Sequence, residues 1–234
     1  MNDTPPSPLA VFCDFDGTIS RKDVGYNMFH HFSGGRNDEI VPLWASGQIT
    51  TRECLQREAA MIHTTREEMN RFLDQFRLNR GFEEFVALCR SQHIDLTIIS
   101  DGLDFYIRYI LDRHGMGDIP LLTNIGRLDG GGRLEIEFPF TNRECTRCGS
   151  CKGERIKEYR AKQGNPVTVA FVGDGYSDVC ALAQADLVLA KKDLEEYCRQ
   201  HNIAYAPYDN FHDVIGYLKG HGYLNNEGSD GVVQ

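Results

Sequence analysis

The stretch LAVFCDFDGT (residues 9–18) joins an unbroken apolar run to a turn that carries two aspartates. A five-residue apolar run is too short for a helix and is typical of a strand buried on both faces, as in parallel sheets. Residues i and i+2 of a strand point to the same side, so Asp14 and Asp16 should face one crevice at its carboxyl end. Gly17 allows a sharp turn directly after them.

Further short apolar runs predict other strands of the same sheet. Between them, apolar residues recur at i, i+3, i+4 and i+7, which is typical of helices that pack on a sheet. Strand and helix therefore alternate, and we predict an α/β fold: a Rossmann-like parallel sheet with helices on both faces. The further strands are predicted at residues 96–99, 167–172 and 187–189, with a less apolar candidate at 119–122.

The first two predicted strands are separated by far more residues than the roughly 10–12 that a crossover needs. Residues 20–80 carry helical periodicity, with Met69 and Leu73 on one apolar face. Thr50 and Glu53 have the spacing of a capping box, which marks the start of a helix. We therefore predict a small all-helical module inserted after the first strand.

The remaining division of the chain follows from this insert. Residues 9–19 and 81–219 should form the α/β core, and the Pro-rich and Gly-rich ends, 1–8 and 220–234, should be flexible tails. A glycine-centred stretch at 126–138 alternates apolar and polar residues, which predicts a hairpin at the margin of the sheet.

Composition limits the partners of this chain. Its 25 basic and 34 acidic residues give a net charge of −9, which lacks the positive field that gathers nucleic acid or an anionic membrane surface. No apolar run reaches the roughly 18 residues that a membrane-spanning helix needs. The start, MNDTPPSPLA, has no signal-peptide pattern. We expect a cytoplasmic protein that acts on a small molecule, with neither nucleic acid nor membrane as partner.

Two other predicted strands also end in polar residues. Ser100, Asp101 and Gly102 lead from a strand into a helix, where a hydroxyl and free N–H groups favour an oxyanion or phosphate; a plain helix cap is the alternative. Asp174 and Asp178, between glycines, could supply hard oxygen ligands to Mg²⁺, although ordinary turns also favour these residues. The carboxyl ends of parallel strands meet at one edge, so these groups should lie together.

A lysine and a cysteine cluster precede the strand at 167–172. Lys152 begins a predicted helix and could neutralise phosphate oxygens, with an ordinary surface lysine as the alternative. Cys145, Cys148 and Cys151 have a spacing that could bind zinc, but a fourth ligand is not identifiable, and unligated thiols in a turn are favoured. The other cysteines are interpreted as small core side chains: Cys13, Cys54, Cys89, Cys180 and Cys198.

The motifs, in their order along the chain, resemble those of a known group of enzymes. DFDGT (14–18), Ser100, Lys152 and GDGYSD (173–178) resemble the four-motif set of the haloacid dehalogenase superfamily of phosphotransferases. The resemblance spans residues 9–189. The helical insert after the first motif resembles the C1-type cap of the phosphoserine phosphatase branch.

Three further segments narrow the resemblance. GFEEF (81–85), SDGLDF (100–105) and APYDNF (206–211) are similar to the bacterial phosphatases of methionine salvage, which act on 2-hydroxy-3-keto-5-methylthiopentenyl-1-phosphate. The cysteine-rich approach to Lys152 is similar to these and to phosphoethanolamine and phosphocholine phosphatases. The resemblance implies a Mg²⁺-dependent phosphoric monoester hydrolase.

The resemblance also implies catalytic roles. Asp14 would be the nucleophile that forms an aspartyl phosphate, and Asp16 the acid and base. Ser100 and the N–H of Gly102 would hold the phosphoryl oxygens, and Lys152 would neutralise Asp14 and phosphate together.

A metal site and a substrate residue are implied in the same way. Asp14, the backbone carbonyl of Asp16, Asp174 and Asp178 would surround Mg²⁺. Asp101, which the resemblance places beside the phosphoryl group, stands where relatives often carry glycine, so its amide contact is the least typical part of the pattern.

Substrate specificity should reside in the insert. Asp23 stands where phosphoserine phosphatases carry a glutamate, and Asp23 and Arg52 are candidates for contacting the substrate. An apolar subsite would suit a methylthio-pentenyl tail, whereas Trp44 or Phe32 could hold a choline group through a cation–π contact. We rank the methionine-salvage ester first, phosphocholine or phosphoethanolamine second and phosphoserine third. The motifs are also compatible with a phosphomutase or a non-catalytic phosphate-binding module. The apolar candidates are Met28, Phe29, Phe32 and Trp44.

Overall fold

Seven strands form one sheet in the computed structural model, which describes residues 8–142, 145 and 147–225. They are β1 (Leu9–Cys13), β2 (Asp95–Leu103), β3 (Leu121–Leu128), β4 (Leu134–Glu137), β5 (Thr168–Gly173), β6 (Leu187–Ala190) and β7 (Ala206–Pro207). Their order is β4-β3-β2-β1-β5-β6-β7. β4 pairs antiparallel with β3, and the other strands are parallel, which confirms the predicted fold class and the marginal hairpin.

Helices connect these strands. Those of the insert are α1 (Val24–Ser33), α2 (Val41–Ala45), α3 (Thr51–Ala59) and α4 (Arg66–Leu73). Those of the core are α5 (Phe82–Ser91), α6 (Asp104–Asp112), α7 (Lys152–Lys162), α8 (Val179–Leu182), α9 (Lys192–Gln200) and α10 (Phe211–Gly220). Short 3-10 turns lie at Arg36–Glu39 and Tyr176–Asp178.

The central strand β1 is buried on both faces, and its side chains alternate between two apolar clusters. Val11 and Cys13 belong to the cluster that includes residues of α5 and α10. Ala10 and Phe12 belong to the cluster that includes residues of α7 and α9. The unbroken apolar sequence of β1 is therefore explained by helices on both sides of the sheet.

The position of β1 determines where a ligand can bind. β1 pairs with β2 on one side and with β5 on the other, so the strand order reverses next to it. Parallel sheets leave a crevice at the carboxyl ends of the strands at such a reversal. The three predicted polar strand ends belong to these three neighbouring strands.

The insert leaves and re-enters the core at adjacent points. Ser20 and Leu78 form an isolated antiparallel bridge, so a helical excursion fits between them without disturbing the sheet. The predicted capping box of Thr50 and Glu53 is present at the start of α3. In α4, Met69 and Leu73 are fully buried, as their spacing predicts.

Two details differ from the prediction. The segment 220–225, assigned above to a flexible tail, is partly packed: Leu224 is buried, and the Asn225 N–H donates to Gln92 Oε1 over 2.9 Å. Residues 1–7 and 226–234 of the predicted tails lie outside the described residues. β7 was missed because a two-residue strand carries no periodicity. Within the described ranges, no helix is long and apolar enough to cross a membrane.

Candidate active site

A cavity of about 430 Å³ opens at the carboxyl ends of β1, β2 and β5, beneath the insert. Most of the predicted site residues line it: Asp14, Asp16, Asp23, Ser100, Asp101, Gly102 and Asp174. Lys152 and Asp178 lie under its floor, in contact with Asp14 or with each other.

The turn after β1 brings both motif aspartates to this cavity. Residues Phe15–Ile19 form one wide helical turn in which Asp16 keeps an extended conformation and Gly17 has φ +74°. A Cβ on Gly17 would lie 2.4 Å from Asp174 Oδ2, so only glycine fits. The predicted shared crevice is therefore present, but the turn produces it, because the strand has already ended at Cys13.

Lys152 is fully buried beneath Asp14. Its Nζ donates to Asp14 Oδ1 over 2.6 Å and to Asp178 Oδ1. Burial alone would lower the pKa of Lys152, but the carboxylates of Asp14 and Asp178 outweigh burial and hold that pKa well above its usual value. A buried charge is tolerated only when it is paired in this way, so Lys152 is not the surface lysine considered as an alternative.

Three carboxylates converge next to Lys152. Oxygens of Asp14, Asp174 and Asp178 lie within 4.8 Å of one another. Burial, followed by the charge of Asp178, raises the pKa of both Asp14 and Asp174. Mg²⁺ prefers hard oxygen ligands that carry negative charge. The single charge of Lys152 does not balance three carboxylates, so these residues fit the implied ion.

Asp16 is held at both carboxylate oxygens. The N–H groups of Val24 and Gly25, at the start of α1, donate to Oδ1 over 2.7 and 3.2 Å. The Tyr106 hydroxyl donates to Oδ2. Burial, aided by the charge of Asp23, raises the pKa of Asp16 to about 7. A carboxyl group with such a pKa can both give and accept a proton near neutral pH.

Ser100 and Gly102 lie in an irregular part of β2. The register with β3 shifts between Ile99 and Leu103, and the Gly102 N–H donates to Ser100 Oγ over 2.9 Å. A Cβ on Gly102 would lie 2.1 Å from the Tyr106 hydroxyl, so glycine is required. α6 begins four residues after Ser100, so Ser100 is not a helix cap.

Asp101 lines the cavity, but its carboxylate contacts a neighbouring loop. Oδ1 accepts a hydrogen bond from the Ser150 N–H, and the backbone carbonyl of Asp101 accepts one from Asn124 Nδ2 over 2.7 Å. Burial raises the pKa of Asp101 to about 6. Asp101 thus connects the end of β2 to the loop that precedes Lys152.

Of the two substrate candidates in the insert, only Asp23 lies at the cavity. Asp23 caps α1, and its Oδ1 accepts a hydrogen bond from the Tyr26 N–H over 2.7 Å. Arg52 is not among the lining residues: its side chain is exposed, and the guanidinium lies 5.5 Å from the centre of the Phe138 ring. α3 turns Cys54 and Glu58 toward the cavity instead.

The predicted apolar subsite is present in part. Phe29 and Trp44 line the cavity, together with Leu55 and Leu103, which sequence reasoning did not single out. Met28 is fully buried in the core, and Phe32 packs edge-on against Phe72. The interior of the insert therefore uses part of the apolar set for its own packing.

Sequence reasoning missed three polar residues of the site. Tyr106 lies among the buried apolar residues of α6, and its spacing fits the apolar face of that helix. Glu58 is buried, accepts hydrogen bonds from Asn37 and Cys54, and has a pKa that burial raises to about 7. Lys192 has φ +49°, and its Nζ lies 2.8 Å from Asp174 Oδ2. A polar group within an apolar helical pattern was the available signal for Tyr106.

Comparison with known proteins identifies related phosphatases. The model of a family described as "Putative Phosphatase" matches residues 9–205. The chain is 30% identical over 217 residues to 2-hydroxy-3-keto-5-methylthiopentenyl-1-phosphate phosphatase of Brevibacillus brevis, covering 90% of this chain and 95% of that protein. It is 29% identical over 215 residues to the enzyme of the same name from Bacillus mycoides, covering 90% and 96%.

Solved structures share the fold. A phosphoserine phosphatase with a phospho-aspartyl intermediate analogue superimposes with a TM-score of 0.71 at 16% identity, covering 91% of this chain and 99% of that one. A haloacid dehalogenase family hydrolase from Salmonella enterica gives 0.72 at 19% identity, covering 91% and 72%. At these identities the similarity establishes the architecture.

Proposed function

The chain belongs to the phosphatase family described as "Putative Phosphatase" and has the haloacid dehalogenase fold, and from this premise we propose that it hydrolyses a small phosphomonoester through an aspartyl phosphate. One observation carries the proposal. Asp14 lies at the floor of the cavity against the buried ammonium of Lys152, two residues before Asp16, whose pKa is raised to about 7. A nucleophile and a proton carrier at one turn thus lie together with a cation from α7.

The first half-reaction forms the phosphoenzyme. A carboxylate oxygen of Asp14 attacks phosphorus while the bond from phosphorus to the ester oxygen breaks. Asp16 gives its proton to the leaving alkoxide. Ser100 Oγ donates to a phosphoryl oxygen, and the Gly102 N–H exchanges its bond to Ser100 Oγ for one to the phosphoryl group. The charge of Lys152 stabilises the phosphoryl oxygens.

The second half-reaction releases phosphate. The oxygen of a water molecule attacks phosphorus while the Asp16 carboxylate takes a proton from that water. The bond from phosphorus to the Asp14 carboxylate oxygen breaks. Asp14, Asp174 and Asp178 would hold Mg²⁺ together with the Asp16 carbonyl, and the bound ion would supply Lewis-acid stabilisation of the phosphoryl oxygens. Asp16 thereby returns to its protonated form for the next turnover.

The methionine-salvage ester is the first candidate substrate. Relatives at about 30% identity carry that activity in their names, and they match this chain over nearly their whole length. Phe29, Trp44 and Leu55 give the cavity an apolar upper part beneath the insert, which suits a methylthio-pentenyl tail. We assign the ester group to the core (9–19 and 81–219) and the tail to the insert.

A phosphorylated amine is the second candidate, and a specific observation favours it. Glu58 and Asp23 both line the cavity, close enough that the charge of Asp23 raises the pKa of Glu58 further. Trp44 and Tyr26 line the same region. Carboxylates with aromatic rings are the groups that recognise an ammonium, as in phosphoethanolamine or phosphocholine.

The experiment is a comparison of kcat/KM for phosphate release from the methionine-salvage ester, phosphocholine, phosphoethanolamine and phosphoserine with Mg²⁺. We expect the methionine-salvage ester to be preferred. A preference for either amine ester would transfer the assignment to the second candidate. Transfer of the phosphoryl group to a second position of a sugar phosphate would identify a mutase. Failure to release phosphate from any ester, including p-nitrophenyl phosphate, would reject the proposal.

A further inference from the structure

Three cysteine sulfurs meet beside the catalytic floor, and a fourth lies against one of them. Sγ atoms of Cys145, Cys148 and Cys151 lie within 4.8 Å of one another. Cys180 approaches this group from α8: its Sγ lies 3.7 Å from that of Cys148, and its thiol also interacts with Cys151. The sequence pattern had assigned Cys180 to the apolar core, and this assignment is wrong, because its thiol belongs to the cluster.

The spacing of the sulfurs suits one tetrahedral ion. With Zn–S bonds of about 2.3 Å, two ligands of a tetrahedral zinc ion are about 3.8 Å apart. The Cys148–Cys180 separation of 3.7 Å matches this edge, whereas the Cys145–Cys148 separation of 3.2 Å is shorter, so these two sulfurs would move apart on binding the ion. Three clustered sulfurs with a fourth beside them supply the donor set that zinc or iron takes, and a disulfide would need only two.

The surroundings favour thiolates. Cys151 is the residue before the first turn of α7, an eleven-residue helix whose positive end stabilises a negative sulfur. Cys148 and Cys151 are buried, and Cys180 is half-buried. Burial separates the sulfurs from water, and an ion bound there would be closed to substrate, as in structural zinc sites.

We propose that Cys145, Cys148, Cys151 and Cys180 form a structural zinc site that fixes Lys152 and Asp178. Cys151 directly precedes Lys152, and Cys180 follows Asp178 by two residues, so one ion would join the two elements that carry this buried ion pair.

Two other contacts extend the same connection. A Cβ on Gly153 would lie 2.2 Å from the Cys180 carbonyl oxygen, so α7 and α8 already approach as closely as backbones allow. The loop that carries the cysteines also reaches the insert, since the Thr51 N–H donates to the Arg147 carbonyl over 2.9 Å. The ion would therefore stabilise the catalytic floor and the start of α3 together.

The decisive measurement is the metal content of the full chain purified without chelator. We expect one zinc per chain, and Co²⁺ exchanged into the site should give thiolate-to-cobalt charge-transfer bands and the intense visible bands of a tetrahedral complex. Cys180→Ala should reduce bound zinc to less than a tenth and abolish the cobalt bands. Cys198→Ala is the matched control, because Cys198 is buried in the core away from the cluster, and it should keep one zinc.

A second measurement needs no variant. Titration of wild-type protein with an organomercurial should release zinc, followed with a chromophoric chelator, as four thiols are modified. The proposal would be overturned if the protein held no zinc and took up no cobalt, or if it held one equivalent of iron. It would also be overturned by a disulfide within the cluster, or by full zinc retention in Cys180→Ala. These readouts do not depend on the proposed phosphatase reaction. If both proposals hold, zinc-free protein should lose roughly 10–100-fold in kcat with Mg²⁺ present, with little change in KM.

Discussion

Tyr106 donates a hydrogen bond of 2.5 Å to Asp16 and so joins α6 to the turn after β1. The ring of Tyr106 is fully buried, and burial together with the charge of Asp16 keeps the pKa of its hydroxyl far above the usual value. The hydroxyl therefore remains a donor at any working pH. Asp16 is oriented by this hydroxyl at one oxygen and by the start of α1 at the other.

Tyr106→Phe should slow formation of the phosphoenzyme. Loss of a hydrogen bond to a charged group costs about 1.5 kcal/mol or more, which corresponds to roughly tenfold in rate. A rapid-mixing measurement of the first turnover should show this loss with an alkyl phosphate, whose alkoxide must be protonated. The first turnover of p-nitrophenyl phosphate should be spared, because nitrophenolate leaves without a proton. An equal loss with both esters would contradict the orienting role.

Asp14→Asn should abolish turnover and preserve the fold. An amide cannot attack phosphorus, so we expect a loss of roughly 10³-fold or more in kcat. Lys152 keeps its contact with Asp178 in this variant, so its charge stays paired. Circular dichroism and phosphate release, measured on the same preparation, check both parts. Activity within about tenfold of wild type, a loss of only about 1.4 kcal/mol, would exclude Asp14 as the nucleophile.

The fold was predictable because its cause is local in sequence. The apolar runs of β1 and β5 are short and unbroken because these strands are buried on both faces, and this distinguishes them from the spaced apolar pattern of the helices. The floor of the site was predictable for a similar reason. Asp14 and Asp174 directly follow β1 and β5, Ser100 lies in the last part of β2, and parallel strands bring such ends together.

The walls of the site depend on pairings between distant residues. Tyr106 and Cys180 look like ordinary apolar positions until the contacts with Asp16 and Cys148 are known. Arg52 was a candidate because it follows a helix cap, but helix rotation decides which side of α3 faces the cavity, and that side carries Glu58. No short-range pattern encodes this rotation.

Removal of divalent cations should silence the enzyme reversibly. Mg²⁺ should restore activity, and Ca²⁺ should restore little, because it is larger, takes more oxygen ligands and would misplace Asp14. Phosphate release after chelation and dialysis, with each ion added back, measures this. Zinc content should be followed in the same samples, so that loss from the cysteine cluster is distinguished. Full activity with Mg²⁺ removed and zinc retained would contradict a role for the three carboxylates.

Asp23→Asn should raise KM for the physiological ester, and Arg52→Ala should not. Asp23 lines the cavity, whereas the Arg52 side chain is exposed over Phe138. Arg52→Ala therefore serves as the matched control, a charge removed from the insert but away from the site. KM and kcat for the preferred ester and for p-nitrophenyl phosphate provide the test. A higher KM in Arg52→Ala alone would mean that the substrate contacts a different face of α3.

Glu58 should make substrate binding depend on pH in a way that distinguishes the two candidate substrates. Burial raises its pKa to about 7, so Glu58 is neutral below this pH and ionised above it. For a phosphorylated amine, KM should fall as pH rises through about 7, because the ionised carboxylate attracts the ammonium. For the methionine-salvage ester, ionisation brings no such gain. Glu58→Gln should remove this pH dependence of KM. Subtracting the variant's KM–pH profile from that of wild type cancels the effect of the substrate phosphate's own titration.

The same group should affect stability, with a defined sign. Folded Glu58 binds its proton more tightly than an unfolded glutamate, whose pKa is about 4.3. Its contribution to the free energy of unfolding is therefore complete below that pH and is lost as pH rises to about 7. Buried Asp16 and Asp101 act in the same direction, so the informative quantity is the difference between wild type and Glu58→Gln in urea unfolding at pH 5 and pH 8. The stability of wild type relative to Glu58→Gln should be lower at pH 8. If the stability difference were the same at both pH values, Glu58 would titrate like an ordinary glutamate. The proposed pH-dependent recognition of an ammonium by Glu58 would then be contradicted.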